Sequence, residues 1–494
     1  MILSPEKKNV LLIRVGGAFY NKGVTQTALE EGLRNMKKSL MLLMTLIFVA
    51  SAMLAGCGKS DNGKNTPANE GQKATNNGGA AKVDDSPFEI TIRHTQVGES
   101  KKFRLAILQD AVKATEAAVP GLKIKLDGVD SEVNRKEKLR GEMAAGKPPE
   151  IFDVFGSPDA LLYAKEGLML DITPILNELG LTDQFSSLAP FTADGKIYGL
   201  PTGSSIEGYF YNKEYFEQKG LKVPATLDEL DKLAETIKAD GKIPFAQSSK
   251  DAWIPLMTTN NLWSYYAGND ITFGFKKGET KWTDENMVKA VAKHKEWVDK
   301  GYYKKGELGF EYADMRNQII TGEAIMMMDG SWANSVFRDP EQAGDKVGKI
   351  GYFNMPPVNA GDQVLAMMDA NNGYGFSASV AEDPRKLQAV KEFIKNLWNE
   401  DMQLRGLTED GVLPAMKMDL EKMKSTTDDP LMQDIFKALN EIGTPFPAFD
   451  ALVQAEVNTA LSMGIQQIIG GEIEPAKMLE NVQAAQDAAN AAGQ

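Results

Sequence analysis

From Phe88 onward the chain alternates between two hydrophobic periods, and no other feature constrains its fold as tightly. Phe88-Glu89-Ile90-Thr91-Ile92-Arg93 has period two and predicts a strand. Residues 101–118 have helical period, with Phe103, Ile107, Ala111 and Ala114 on one stripe. Residues 122–126 alternate again, 132–145 are helical, and Ile151-Phe152-Asp153-Val154-Phe155 is a third strand entered through Pro148-Pro149. Strands alternating with helices of this length imply an α/β fold whose sheet is mixed or parallel and covered on both faces. In such sheets ligands sit beyond the carboxyl ends of the strands. The second half carries more helix. Residues 226–239 open with Thr226 and Glu229 in capping-box spacing. Helices are predicted over 284–300, 384–399, 431–442, 450–469 and 475–489, and strands over 324–328, 350–355 and 373–379. With 494 residues the chain can build two or three packed cores.

The balance of 68 acidic against 55 basic residues, net charge −13, argues against binding nucleic acid, whose phosphates need a basic footprint. With 21 Phe, 13 Tyr and 6 Trp, the chain is not mostly disordered. One Cys and two His (His94 and His294) exclude a disulfide framework and leave no set for a zinc or iron site built on those residues. No metal or cofactor is expected.

Lys37 and Lys38 precede about sixteen mostly apolar residues that end in Leu54-Ala55-Gly56-Cys57. This tetrad resembles the lipobox of bacterial lipoproteins, in which the Cys is alkylated with diacylglycerol and becomes the new N-terminus. A buried helix or a membrane anchor is the alternative, but a span wants about twenty apolar residues. The reading makes 36–56 a lipoprotein signal peptide and 57–86, rich in Gly, Asn, Lys and Ser, a flexible tether. Residues 1–35 are then an extension ahead of the true start at Met36, with Leu11 to Gly17 reading as a short strand and turn. Two acyl chains on Cys57 would hold the protein on the extracytoplasmic face of a bacterial cell membrane.

Several segments further along share one likeness. They are Asp194-Gly195-Lys196-Ile197-Tyr198-Gly199-Leu200-Pro201, Tyr211-Asn212-Lys213-Glu214-Tyr215-Phe216, and Gly220-Leu221 with Pro224-Ala225-Thr226-Leu227-Asp228-Glu229-Leu230. Gly322-Glu323-Ala324-Ile325-Met326-Met327 with Gly330-Ser331-Trp332, GKIGYFNMPP over 348–357, NNGYGFSAS over 371–379 and Gly411-Val412-Leu413-Pro414-Ala415 complete the set. In order and spacing the chain from about Phe88 to its end resembles the extracellular solute-binding proteins of sugar-importing ABC transporters, of the maltose-binding type. Pro149-Glu150-Ile151 departs from that family's usual Pro-Asp. The resemblance implies a periplasmic-binding-protein-like fold with two α/β lobes, hinge strands and a ligand cleft between the lobes. Lobe I is expected over 87–204 plus 372–425, and lobe II over 205–371 plus 426–494. It further implies a monomer, not an enzyme, that captures a sugar or oligosaccharide and delivers it to ABC transporter permease subunits.

A sugar presents apolar C–H faces and a rim of hydroxyls, so flat aromatics, carboxylates and amides are its natural partners. Trp332, after a predicted buried strand, is the leading candidate; the alternative is a core Trp. Trp253 and Asp251 lie in a matching loop. Phe155, Ser157 and Asp159 follow the third strand, Asp159 being either a ligand contact or a first-turn acid that complements a helix dipole. Gln96 lies on the loop after the first strand. Ser205 and Glu207 sit on the first crossing and Asn372 on another, near Asp369; Glu207 either accepts hydroxyls or is a solvated strand residue. Phe446 and Phe449 would supply a lid or stacking face. Trp263, Trp297 and Trp398 read as core, His94 as a satisfied core imidazole, and His294 as solvated on a polar helix face. Two other classes stay open: a sensing or adhesive surface lipoprotein on the same fold, and a secreted glycoside hydrolase with two carboxylates across the sugar.

Overall fold

The computed structural model describes residues 13–15, 18–20 and 85–492. In the N-terminal segment Ile13–Val15 pairs antiparallel with Ala18–Tyr20. Cys57, the apolar run before it and the tether as far as residue 84 lie outside the described residues.

Residues 85–492 build two mixed sheets. In the first, Phe88–His94 pairs in parallel with both Leu122–Gly128 and Ile151–Phe155. Asn372–Phe376 then runs antiparallel to Ile151–Phe155, and Gly199–Pro201 antiparallel to Asn372–Phe376. Every residue of Ile151–Phe155 is buried, because this strand is covered on both faces. Ile151 joins a core with Ile90, Ile92, Ile107 and Phe393, while Phe152 and Val154 join another with Leu139, Met143 and Tyr163. In the second sheet Ser205–Asn212 is central. It pairs antiparallel with Ala324–Gly330, Ile350–Phe353 and Val364–Asp369. Ile243–Ala246 adds in parallel beside Ala324–Gly330, and Ile442–Phe446 in parallel beside Val364–Asp369. Trp263, Trp282 and Trp297 anchor its core, while Trp398 anchors that of the first sheet; all four are essentially fully buried. Each sheet with its helices is a lobe.

The chain passes between the lobes over residues 201–205 and 369–373, and these passages run side by side. Pro201 lies opposite Gly373 and Ser205 opposite Asp369. The stretch around Leu413 braces them, its carbonyl accepting from Ser204 N at 2.8 Å while Pro414 O accepts from Ser204 Oγ at 2.8 Å. Short paired segments of this kind can absorb a hinge rotation without unpacking either core.

Three local expectations are corrected. The helix expected over 450–469 is interrupted: Phe449–Leu452 ends at extended Val453, and Ala455–Ile469 follows. Val453 is fully buried, and the Gln454 side chain bonds Gln486 and Asn490 of the last helix, so tertiary contacts override local period. At Thr226 the cap forms, its hydroxyl accepting from Glu229 N at 3.2 Å, but the Glu229 carboxylate accepts from Ala225 N rather than from Thr226 N. His294 is fully buried, not solvated; the helix Glu285–Asp299 turns it toward Trp253–Ala267, where Nδ1 shares a hydrogen bond with Thr259 Oγ1 at 2.8 Å.

Candidate functional site

Trp332 owes its position to the all-buried strand Ala324–Gly330 and the 3₁₀ turn Ser331–Ala333 that follows. The preceding Asp329 is fully buried, and its carboxylate accepts from Tyr312 Oη at 2.6 Å, Arg316 Nε at 3.2 Å and Gly330 N at 2.8 Å. Burial pushes this carboxyl up, while Arg316 and the donors pull it back. Trp332 Nε1 donates to Tyr312 Oη at 2.6 Å, so a relay from Trp332 through Tyr312 to Asp329 fixes the indole plane. Trp253, at the start of Trp253–Ala267, meets Tyr312 edge-on at 5.0 Å and lies 6.3 Å from Trp332. Trp253 and Trp332 are only partly buried. Three aromatics thus form a wall on the second lobe.

Gly330 lets that wall form. A Cβ there would run into the Trp332 ring, which folds back across its backbone. Gly330→Ala is therefore expected to displace the indole, at a cost of roughly 1–3 kcal/mol. A red-shifted tryptophan emission with weakened ligand binding would report this; an unchanged spectrum would refute it.

Opposite chemistry gathers where the passages meet the lobes. Glu207 is buried and accepts from Asn261 Nδ2 at 2.8 Å. Burial pushes it well above the usual carboxylate range, and Asp369, Asp450 and Asp329 push in the same direction. Asp369 accepts from Ser205 Oγ at 3.3 Å and Asn371 Nδ2 at 2.9 Å, yet burial raises it to about 6. Asp450 is raised to about 7 by burial, against the pull of Arg135. On the first lobe Asp153 is buried and accepts from Thr95 Oγ1 at 2.7 Å. The lobes touch here and at a second edge. Ser157 Oγ donates to Ala451 O at 3.3 Å, and Lys102 Nζ pairs with Asp339 at 2.8 Å.

The candidate residues fall into distinct places. Trp332 and Trp253 share the aromatic wall. Asp251 is partly buried beside Trp253 and is raised first by burial and then by Glu132 of the first lobe. Phe155 lies under the Arg135 guanidinium, 4.0 Å from the ring centroid, and the exposed Asn372 accepts from Arg135 at 2.6 Å. Ser157 reaches the second lobe, and Asp159, in the first turn of Asp159–Lys165, is partly buried and raised by burial against Arg140 and Arg135. Ser205 and Glu207 belong to the carboxylate group. Gln96 is on the loop after the first strand, its N donating to His94 Nδ1 at 3.2 Å. Phe449 is a correction: its ring turns inward, edge-on to Trp263 at 6.4 Å, and Asp450 takes the seam instead. Phe446 is buried with Met367 and Ala448, and Trp332 packs against that small cluster.

Tyr312, Arg316, Arg135 and Asp450 are not among the site residues expected from the sequence. Tyr312 and Arg316 are spaced i, i+4 on the helix Tyr312–Ile320 just ahead of the aromatic strand, a spacing that puts them on one face. Arg135 belongs to a basic run that reads as solvated surface.

The model of the bacterial extracellular solute-binding protein family matches residues 104–404. The chain belongs to that family. Among related proteins of this solute-binding family, the multiple sugar-binding protein of Streptococcus mutans is 24% identical over 382 residues, covering 76% of this chain and 82% of the relative. The diacetylchitobiose-binding protein of Streptomyces coelicolor is 24% identical and covers 77% of this chain and 82% of the relative. Among solved structures, a chitin oligosaccharide binding protein is 42% identical, with TM-score 0.76, covering 82% of this chain and all of that one. A raffinose complex at 22% identity and TM-score 0.64 shares the fold. The two-lobed architecture is that of the solute-binding proteins, which are binding proteins rather than enzymes. No helix among the described residues is long and apolar enough to cross a membrane.

Proposed function

We propose that this solute-binding protein captures a chitin-type oligosaccharide between its lobes and presents it to the permease of an ABC importer. One observation carries the reading: the Trp253, Tyr312 and Trp332 wall stands on the same lobe as the Glu207, Asp369 and Asp450 carboxylates, and both border the seam between lobes. Pyranose faces stack on such rings, and carboxylates accept hydroxyl and amide hydrogens. The likeness to a chitin oligosaccharide binding protein at 42% identity supports N-acetylhexosamine units in particular. Micromolar affinity requires about −8 kcal/mol, within reach of a few such contacts once closure expels water. The same reading includes a diacylglycerol anchor on Cys57 after removal of 36–56, and a monomeric receptor with lobes near 87–204 plus 372–425 and 205–371 plus 426–494.

A thermal-shift screen of residues 57–494 against chitobiose to chitohexaose, maltose and raffinose tests it. Chitin oligomers are expected to raise the melting temperature by mass action, by about 2.7 kcal/mol of added stability at a hundredfold excess over Kd. A response to raffinose or maltose alone would reassign the sugar. Release of shortened oligomers over time would instead favour a hydrolase.

A further inference from the structure

The helix that starts at Ser131 widens into a π turn over Asn134–Lys138. Such turns re-aim side chains. This one is pinned, since buried Asn134 donates through Nδ2 to the Asp153 carbonyl at 3.0 Å. Arg135, the next residue, lays its guanidinium over the Phe155 ring, 4.0 Å from the centroid, and donates through Nη2 to Asn372 Oδ1 at 2.6 Å. Phe155 and Asn372 lie opposite each other at the carboxyl end of Ile151–Phe155, the end of a sheet strand where ligands collect. The seam between the lobes is close by. Two residues past Phe155, Ser157 Oγ donates to Ala451 O of the second lobe at 3.3 Å, and beside Asn372, Asn371 Nδ2 donates to Asp369 at 2.9 Å. The guanidinium is thus held at one nitrogen and over one ring, while its Nε is buried and finds no acceptor among the described residues. A buried N–H left unpaired is costly, so this edge calls for an acceptor.

A guanidinium donates in one plane and accepts nothing. Its complement is an oxygen with free lone pairs and no proton of its own to place. In an oligosaccharide of N-acetylhexosamine units that oxygen is the acetamido carbonyl, which a sugar bearing hydroxyls alone lacks. We propose that Arg135, held by Phe155 and Asn372, donates to the acetamido carbonyl of one sugar unit and is a specificity-determining contact of the first lobe. The proposal rests on the capture reading above and adds the side chain that separates acetylated from plain sugars.

The test is calorimetry of wild type and Arg135→Met with chitotetraose and with cellotetraose, in which hydroxyls replace the acetamido groups. Arg135→Met should bind chitotetraose at least about tenfold more weakly than wild type, and cellotetraose within about threefold of it. A second readout uses chitotetraose labelled with carbon-13 at the acetyl carbonyls. In the wild-type complex one carbonyl resonance should move downfield of the free sugar, and in the variant complex it should return toward the free position. A merely structural role would weaken both sugars together. Equal losses for the two sugars, no loss for chitotetraose, or a carbonyl resonance that is the same in both complexes would overturn the proposal. Where cellotetraose binds too weakly to titrate, the carbonyl resonance decides. If Arg135→Met does not fold, Arg135→Lys, which keeps the charge but lacks the Nε–H, is expected to change both readouts in the same direction. If chitotetraose fails to bind wild type, the sugar assignment itself falls and this proposal with it; chitotetraose binding without a selective loss in the variant overturns this proposal alone.

Discussion

Replacing Trp332 with alanine is expected to weaken oligosaccharide binding at least about tenfold, or 1.4 kcal/mol. The indole is partly open, and its plane is set by the bond from Nε1 to Tyr312 Oη at 2.6 Å. Truncation removes a stacking face but leaves the Tyr312, Arg316 and Asp329 network bonded to itself. The fold should therefore survive. Trp297→Ala supplies the contrast: that side chain is fully buried and donates through Nε1 to Asp231 at 2.6 Å. Its loss should cost about 3–5 kcal/mol of stability. Trp332→Phe separates the two parts of the Trp332 effect, since it keeps a ring but loses the donor that orients it. Titration calorimetry with chitotetraose, alongside thermal unfolding, gives both quantities. An affinity unchanged in Trp332→Ala would remove the residue from the site.

Acid should destabilise the protein through His294. The imidazole is fully buried, Nε2 has no partner, Tyr303 packs edge-on at 5.7 Å, and burial pushes the ring down to about 3. An unfolded His takes up its proton near pH 6.5. Between those two values the unfolded chain binds the extra proton, so this contribution is complete above about pH 6.5 and declines by about 1.4 kcal/mol per pH unit as pH falls toward 3. The raised carboxyls have the opposite sign. Asp369 and Asp450 hold protons in the folded state up to about 6 and about 7, so their contribution is lost as pH rises through those values. Wild type therefore mixes the two trends, and the informative quantity is the difference between wild type and His294→Gln. That difference should grow in favour of the variant as pH falls from 6.5 to 4.5, read by urea unfolding at each pH. A constant difference would show that His294 takes up no extra proton on unfolding.

The wall and the carboxylate group differ in how much of them can be read from the chain. Trp332 follows an unbroken apolar run and a Gly-Ser pair, so its place just past a strand is local information. Trp253 is less legible: its segment reads as a loop, whereas it starts the helix Trp253–Ala267. Arg135 could not be found that way, because nothing in a period of 3.6 announces a π turn, and a basic run on a helix normally faces water. His294 misled for a related reason: its helix neighbours Lys293 and Lys295 are charged, while the packing of Trp253–Ala267 against that face is a long-range fact. Phe449 misled because its packing against Trp263 is likewise a long-range fact. Phe449 opens the short helix Phe449–Leu452, which ends at extended Val453, and its ring lies in the core.

Hydrophobic periodicity by itself determined part of each mixed sheet and several of the longer helices, since a strand buried on both faces or an amphipathic helix records its surroundings in its own residue pattern; the two lobes and their crossings were legible only through the family resemblance. Tertiary structure alone decided which charges meet. Asp369, Asp450, Glu207 and Arg135 come from four separate stretches of chain, and each is unremarkable in its own stretch. The three carboxyls are raised because folding brings their stretches of chain together and excludes water, and desolvation and Coulomb energy depend on distance in space and not on separation in sequence.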